Sequence, residues 1–145
     1  MTRRCPLLLA AILLTYQAHR HRNRPLVEVA GRLRTRSRAL LGRGAAGPNQ
    51  VAQARAAAAR ATSLLARLGI RGHDPLSGTL VQWALLEPSS AAVLHLGVRR
   101  PPAAWPQVDR LEEQIWITVA GDIVECGSAG FTSQDCRELW SSEPE

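Results

Sequence analysis

The stretch from Asn49 to Leu68, NQVAQARAAAARATSLLARL, constrains the fold more than any other part of the chain. Val51, Ala54, Ala58, Ala61, Leu65 and Leu68 recur at alternating steps of three and four, which lays them along one stripe of an α-helix. Gln53, Arg60, Ser63 and Arg67 take the opposite side. Alanine and leucine are strong helix formers, Asn49 is placed to cap the first turn through its side-chain oxygen, and Gly69 suits the left-handed residue that closes the last.

A second helical stripe precedes it. After Pro25, Leu26, Ala30, Leu33, Ser37 and Leu40 align over Leu26 to Leu41, with Arg34 and Arg38 on one flank and Arg32 and Arg36 on the other. Together the two stripes predict an αα-hairpin over residues 25–72, with arginine stems covering the edges of the helix contact. The loop between them, Gly42-Arg43-Gly44-Ala45-Ala46-Gly47-Pro48, satisfies G-x-G-x-x-G by letter only. No buried strand precedes it and no acid follows at ribose distance, so it reads as a helix connection, not a dinucleotide site.

Charge divides the chain. All 18 basic residues are arginine: from Met1 to His73 there are 14 of them against Glu28, and from Asp74 onward 4 against 11 acids, which gives +13 and −7. Such a split draws a polyanion to the first half and leaves the second for a protein partner, unless the acidic half folds back to neutralise the basic one. The basic half carries Tyr16 as its one aromatic, while Trp83, Trp105, Trp116 and Trp140 lie in the acidic half. Binding to nucleic acid would therefore address the backbone and depend strongly on salt.

The amino-terminal segment, residues 1–24, sets Thr2-Arg3-Arg4 before the twelve apolar residues Cys5 to Tyr16, with His19-Arg20-His21-Arg22-Asn23-Arg24 behind. That order matches the opening of a secretory signal, yet Tyr16 disfavours cleavage after Ala18, and the run is short of a membrane span. Three readings stay open: a packing helix, a membrane-associated helix and a cleaved leader. A membrane-associated or exported location is favoured over a purely cytoplasmic one. His19 and His21 belong to the basic flank, since two alternate residues supply at most two metal ligands.

Residues 73–145 form the acidic part of the same domain, after the turn-rich Arg71-Gly72-His73-Asp74-Pro75. Thr79 to Leu86 and Ala92 to Val98 read as a hairpin of two buried strands across Glu87-Pro88-Ser89-Ser90, with a helix from Pro75 as the competing assignment of the first. Trp105-Pro106 leads into a short helical turn through Val108, Leu111 and Glu112. Ile115 to Val119 and Ile123 to Cys126 predict a second hairpin around Gly121-Asp122, and Ser133 is placed to cap a final helical turn ending at Trp140.

The fold expected is α+β: an N-terminal helical segment and αα-hairpin packed on a small antiparallel sheet of two hairpins. The function expected is that of a non-catalytic accessory or interaction protein whose arginine-rich half docks on a polyanion, either an anionic membrane surface or a nucleic-acid backbone. Arg32, Arg34, Arg36, Arg38, Arg43, Arg60 and Arg67 are its candidate contacts. A second reading is a secreted or membrane-tethered interaction domain with a Cys126–Cys136 disulfide. A third is a small enzyme drawing on Cys126, with His95 or His73 and Asp122 or Asp74, or on the Asp122 and Glu125 carboxylates. No cofactor motif and no four-ligand metal spacing is present in the sequence.

Overall fold

Four helices precede a four-stranded antiparallel sheet in the computed structural model, which describes residues 6–42, 49–70, 75–89, 92–99, 112–126 and 136–142. The α+β class follows directly. The helices are α1 (Leu7–Arg20), α2 (Leu26–Leu41), α3 (Gln50–Arg67) and α4 (Pro75–Leu86). The strands are β1 (Ala92–Arg99), β2 (Glu112–Val119), β3 (Asp122–Cys126) and β4 (Cys136–Ser141).

The apolar run at the start of the chain becomes a core helix. Ala10, Ala11, Leu14 and Ala18 of α1 are buried, and α1 packs against all three other helices. Its most extensive contact is with α3, where Ala54, Ala57, Ala58 and Ala61 offer an equally small-residue face that lets the backbones approach closely. The one hydroxyl buried in α1 is satisfied locally, Thr15 Oγ1 donating to the Ala11 carbonyl at 2.7 Å.

The α3 stripe is buried from Ala54 to Leu65, but two details differ from the periodicity. Asn49 makes no side-chain capping bond, and its carbonyl instead accepts from the Gln53 amide. Leu68 lies past the last helical residue and is 76% exposed, because the chain has already turned there. Gly69, at φ 85°, closes the helix with Gly69 N–H on Ala66 O and Ile70 N–H on Leu65 O, the paired bonds of a Schellman motif.

Residues 79–86 form the last two-thirds of α4, not a strand, which corrects the expected first hairpin. The segment is apolar almost throughout because it is enclosed on every side: α1, α2 and α3 lie around it and β1 and β2 lie beneath. Leu80, Val81, Trp83, Ala84, Leu85 and Leu86 are all buried, and an element buried all round loses the periodicity that separates helix from strand. Pro75 at its first position has the φ a helix start needs. Two polar bonds fix α4 in place. Ser37 Oγ of α2 donates to the Ala84 carbonyl, and Trp83 Nε1 donates to Ala92 O of β1 at 3.2 Å.

The sheet order is β3-β2-β1-β4. The β2–β3 hairpin is present, with its turn at Ala120-Gly121, one residue earlier than expected. Both turn residues have positive φ (53° and 86°), and Val119 pairs with Asp122. Cys136–Ser141 is an edge strand against β1 and not a helical turn; Glu112 opens β2 and not a helix. Ser133, Trp105, Val108 and Leu111 lie outside the described residues. Ala92, Leu94, Ile115 and Ile117 are buried in the core shared with the helices, while His95, Trp116, Thr118 and Glu138 gather on the other sheet face.

Each edge strand meets one guanidinium from the helical layer. Arg55 Nη2 of α3 donates to the Val124 carbonyl of β3 at 3.0 Å, and Arg34 Nη2 of α2 donates to the Ser142 carbonyl just beyond β4 at 2.8 Å. Ser142 also closes the end of β1, exchanging backbone and side-chain bonds with Leu94. Groups that would otherwise be free at a sheet edge are thereby occupied, which blunts edge-to-edge pairing.

Candidate functional site

Helical phase sorts the arginines into two sets. On α2, Arg34 and Arg38 project toward the end of α4, where Glu87 receives both. Arg38 Nε donates to Glu87 Oε2 at 3.0 Å in a two-pronged contact, and this carboxylate pairing raises the Arg38 pKa further. Arg34 also lies over the Trp83 ring, 5.1 Å from its centroid, within cation–π range. On α3, Arg55 meets Glu125 of β3 at 2.8 Å. These three belong to the architecture: Arg34 and Arg38 tie α2 to the end of α4, and Arg34 and Arg55 tie helices to the sheet edges.

The other set faces outward. Arg36, Arg60 and Arg67 are exposed and make no ion pair among the described residues. Arg32 shares Glu28 with Arg24, at 3.2 and 2.9 Å. Hydrogen bonds from Arg32, then from Arg24, hold the Glu28 carboxyl below its ordinary value against a desolvation that works the other way. Arg43 lies outside the described residues. The described part of α1 to α3 and their connections holds ten arginines, one acid of its own and two carboxylates borrowed from Glu87 and Glu125, a surplus of seven positive charges. His21 registers that field: partial burial, then the charges of Arg32, Arg24 and Arg20, lower its pKa, with Glu28 opposing.

Two surface hollows carry the outward arginines. Arg60, Ser63, Leu64 and Arg67 surround one of about 320 Å³ along α3. The second, about 530 Å³, lies between α1 and α2, with Gln17 on one wall and Gly31, Arg32, Thr35, Arg36 and Ala39 on the other. Leu9, Tyr16, Val27, Leu64 and Leu68 are large apolar side chains exposed on these same helices.

No family model matches this chain, and neither a curated protein nor a solved structure matches it significantly. The residues alone therefore carry the functional argument.

The sequence-derived alternatives fare differently. Cys126 ends β3 and Cys136 begins β4, the two outer strands, with β2 and β1 between them. Three strand spacings amount to about 14 Å, twice the reach of a disulfide within one chain. Glu125 is taken up by Arg55, which leaves Asp122 without its expected carboxylate partner for nuclease chemistry. Among the described residues no group of three or more His, Cys, Asp or Glu is disposed to hold a metal. His73 and Asp74 lie outside them.

His95 does find a carboxylate, though one the sequence reading placed in a helix. Its Nδ1 lies 2.5 Å from Glu138 Oε1 and its Nε2 lies 2.7 Å from Thr118 Oγ1, while the ring stacks on Trp116 at 5.2 Å. A carboxylate only accepts, so Nδ1 carries the proton toward Glu138, and Nε2 shares a hydrogen bond with the Thr118 hydroxyl. The distances are those of a hydroxyl–imidazole–carboxylate relay. Thr118 itself stands on an inner strand, paired with β1 on one side and β3 on the other. The array ties β1, β2 and β4 together across the sheet face opposite the helices.

Proposed function

We propose that the protein docks peripherally on an anionic membrane surface through α1, α2 and α3, and that its sheet layer is presented to a protein partner. The observation that carries this reading is the surplus of seven arginine charges left after Glu28, Glu87 and Glu125 are spent. Membrane is preferred to nucleic acid because exposed Val27 and Leu64 lie on the helices of the outward arginines, exposed Leu68 follows the end of α3, and exposed Leu9 and Tyr16 lie on the adjoining α1. Apolar side chains among guanidinium groups suit a headgroup boundary, where the stems lie along the acyl region and the charges reach phosphate. Duplex DNA offers no such apolar layer. Among the described residues no helix is long and apolar enough to cross a membrane, in keeping with surface contact.

Flotation with vesicles tests the proposal. Binding to phosphatidylglycerol-containing vesicles is expected at an ionic strength of about 0.05 M and is expected to fall steeply by about 0.5 M, while neutral phosphatidylcholine vesicles leave the protein unbound. Equal binding to both lipids, or salt-insensitive binding, overturns the electrostatic docking. Binding to duplex DNA but not to anionic vesicles assigns the same charge to nucleic acid instead.

A further inference from the structure

We infer that the groove between α1 and α2 receives the terminal phosphomonoester of an anionic lipid, so that docking is selective for that headgroup and not for negative charge alone. This rests on the membrane reading above. The groove is a shallow, open depression of about 530 Å³, and Gly31 leaves its surface uncovered: a Cβ built there meets nothing within 4 Å.

The polar groups are unevenly placed along it. Glu28 makes one end negative and engages Arg24 and Arg32, which excludes an anion there. One turn further, Arg32 has N–H donors beyond the single Nη2 contact to Glu28, and Arg36, one more turn on, makes no hydrogen bond or ion pair among the described residues. Residues four apart share a helix face, so Arg32 and Arg36 converge on one position, with the Gln17 amide on the facing wall. Thr35 donates its hydroxyl proton to Gly31 O at 3.1 Å. Two guanidinium groups match a phosphomonoester, which carries close to two charges at neutral pH and accepts forked hydrogen bonds. Val27, one turn before Gly31, and Tyr16, beside Gln17, are exposed apolar groups on α2 and α1.

The experiment compares vesicles containing phosphatidic acid with vesicles containing phosphatidylglycerol at matched zeta potential, for the wild-type chain, Gly31→Leu and Arg36→Gln. Wild-type protein is expected to bind phosphatidic acid about tenfold more tightly, the ratio set by one added charge-assisted contact. Gly31→Leu, which fills the groove without removing a charge, is expected to lose that preference while retaining binding to phosphatidylglycerol; helical circular dichroism confirms that it folds. Arg36→Gln gives the same loss of preference should the leucine variant fail to fold. Equal wild-type binding to both lipids overturns the headgroup site and leaves the docking reading standing. Absence of binding to either overturns the docking reading itself. Displacement from phosphatidic acid vesicles by millimolar inorganic phosphate, with vesicle surface charge held constant, overturns the lipid assignment in favour of a free-phosphate site.

Discussion

Replacing Trp83 by alanine is expected to destabilise the protein by about 3–5 kcal/mol, the range for truncating a fully buried aromatic. Trp83 is 0% exposed in the centre of α4, the helix enclosed by the other three helices and the sheet. The substitution removes three things together. The indole volume is lost from the core, the Ala92 carbonyl loses its 3.2 Å donor, and Arg34 loses the ring beneath its guanidinium. A domain of this size gains or loses roughly 2–4 °C in Tm per kcal/mol, so the melting temperature should drop by roughly 6–20 °C. Trp83→Phe separates the contributions, since it keeps most of the apolar volume and deletes the donor, and it should cost about 1–3 kcal/mol. Urea unfolding followed by circular dichroism measures both. A Trp83→Ala midpoint close to wild type would mean that α4 is not the centre of the molecule.

The second large effect is expected at Gly97. This residue sits in β1 where the sheet register shifts opposite β4, and a Cβ there meets the Arg137 carbonyl oxygen at 2.6 Å and two Trp116 ring carbons at 2.9 Å. The oxygen belongs to the backbone of the neighbouring strand, and the ring is stacked against His95, so neither obstacle is the loose end of a flexible chain. Gly97→Val must push β4 away or dislodge the indole, at about 3 kcal/mol, the upper part of the range for overpacking a tight site. Hydrogen exchange should show the loss as deprotected amides in Cys136–Ser141, with the β2–β3 hairpin retaining its protection. Unchanged exchange in β4 would contradict the close approach of these strands.

How far the sequence revealed this arrangement depended on whether an element had a solvent face. The α2 and α3 stripes were legible because each helix buries one side, and the β2–β3 hairpin because β-branched residues flank a glycine turn. α4 was not, because enclosure on all sides removes the polar residues that give a helix its period. Misplacing Thr79 to Leu86 in a strand also hid Glu87, which the reading put in a hairpin loop and which the fold sets at the end of α4, within reach of Arg34 and Arg38. Glu138 was hidden in the same way by the helix expected through Trp140. Arg34, Arg36 and Arg38 alternate along one segment with nothing local to distinguish them. Their division into a set paired with Glu87 and an unpaired residue is decided by where α4 ends, a tertiary fact that helical spacing alone does not encode.

That division supplies the most direct test of the account. In Arg36→Gln/Arg60→Gln/Arg67→Gln, three exposed guanidinium groups are neutralised without touching an internal ion pair, whereas Arg34→Gln/Arg38→Gln removes the two that Glu87 holds. Each arginine near an anionic surface contributes about 1 kcal/mol, so the triple variant should bind phosphatidylglycerol vesicles about a hundredfold more weakly at low salt, with its unfolding midpoint preserved. The double variant should lose stability and, at temperatures where it stays folded, bind almost as well as wild type. Should the triple variant bind undiminished, or the double variant prove the weaker binder while folded, the outward arginines are not the docking surface.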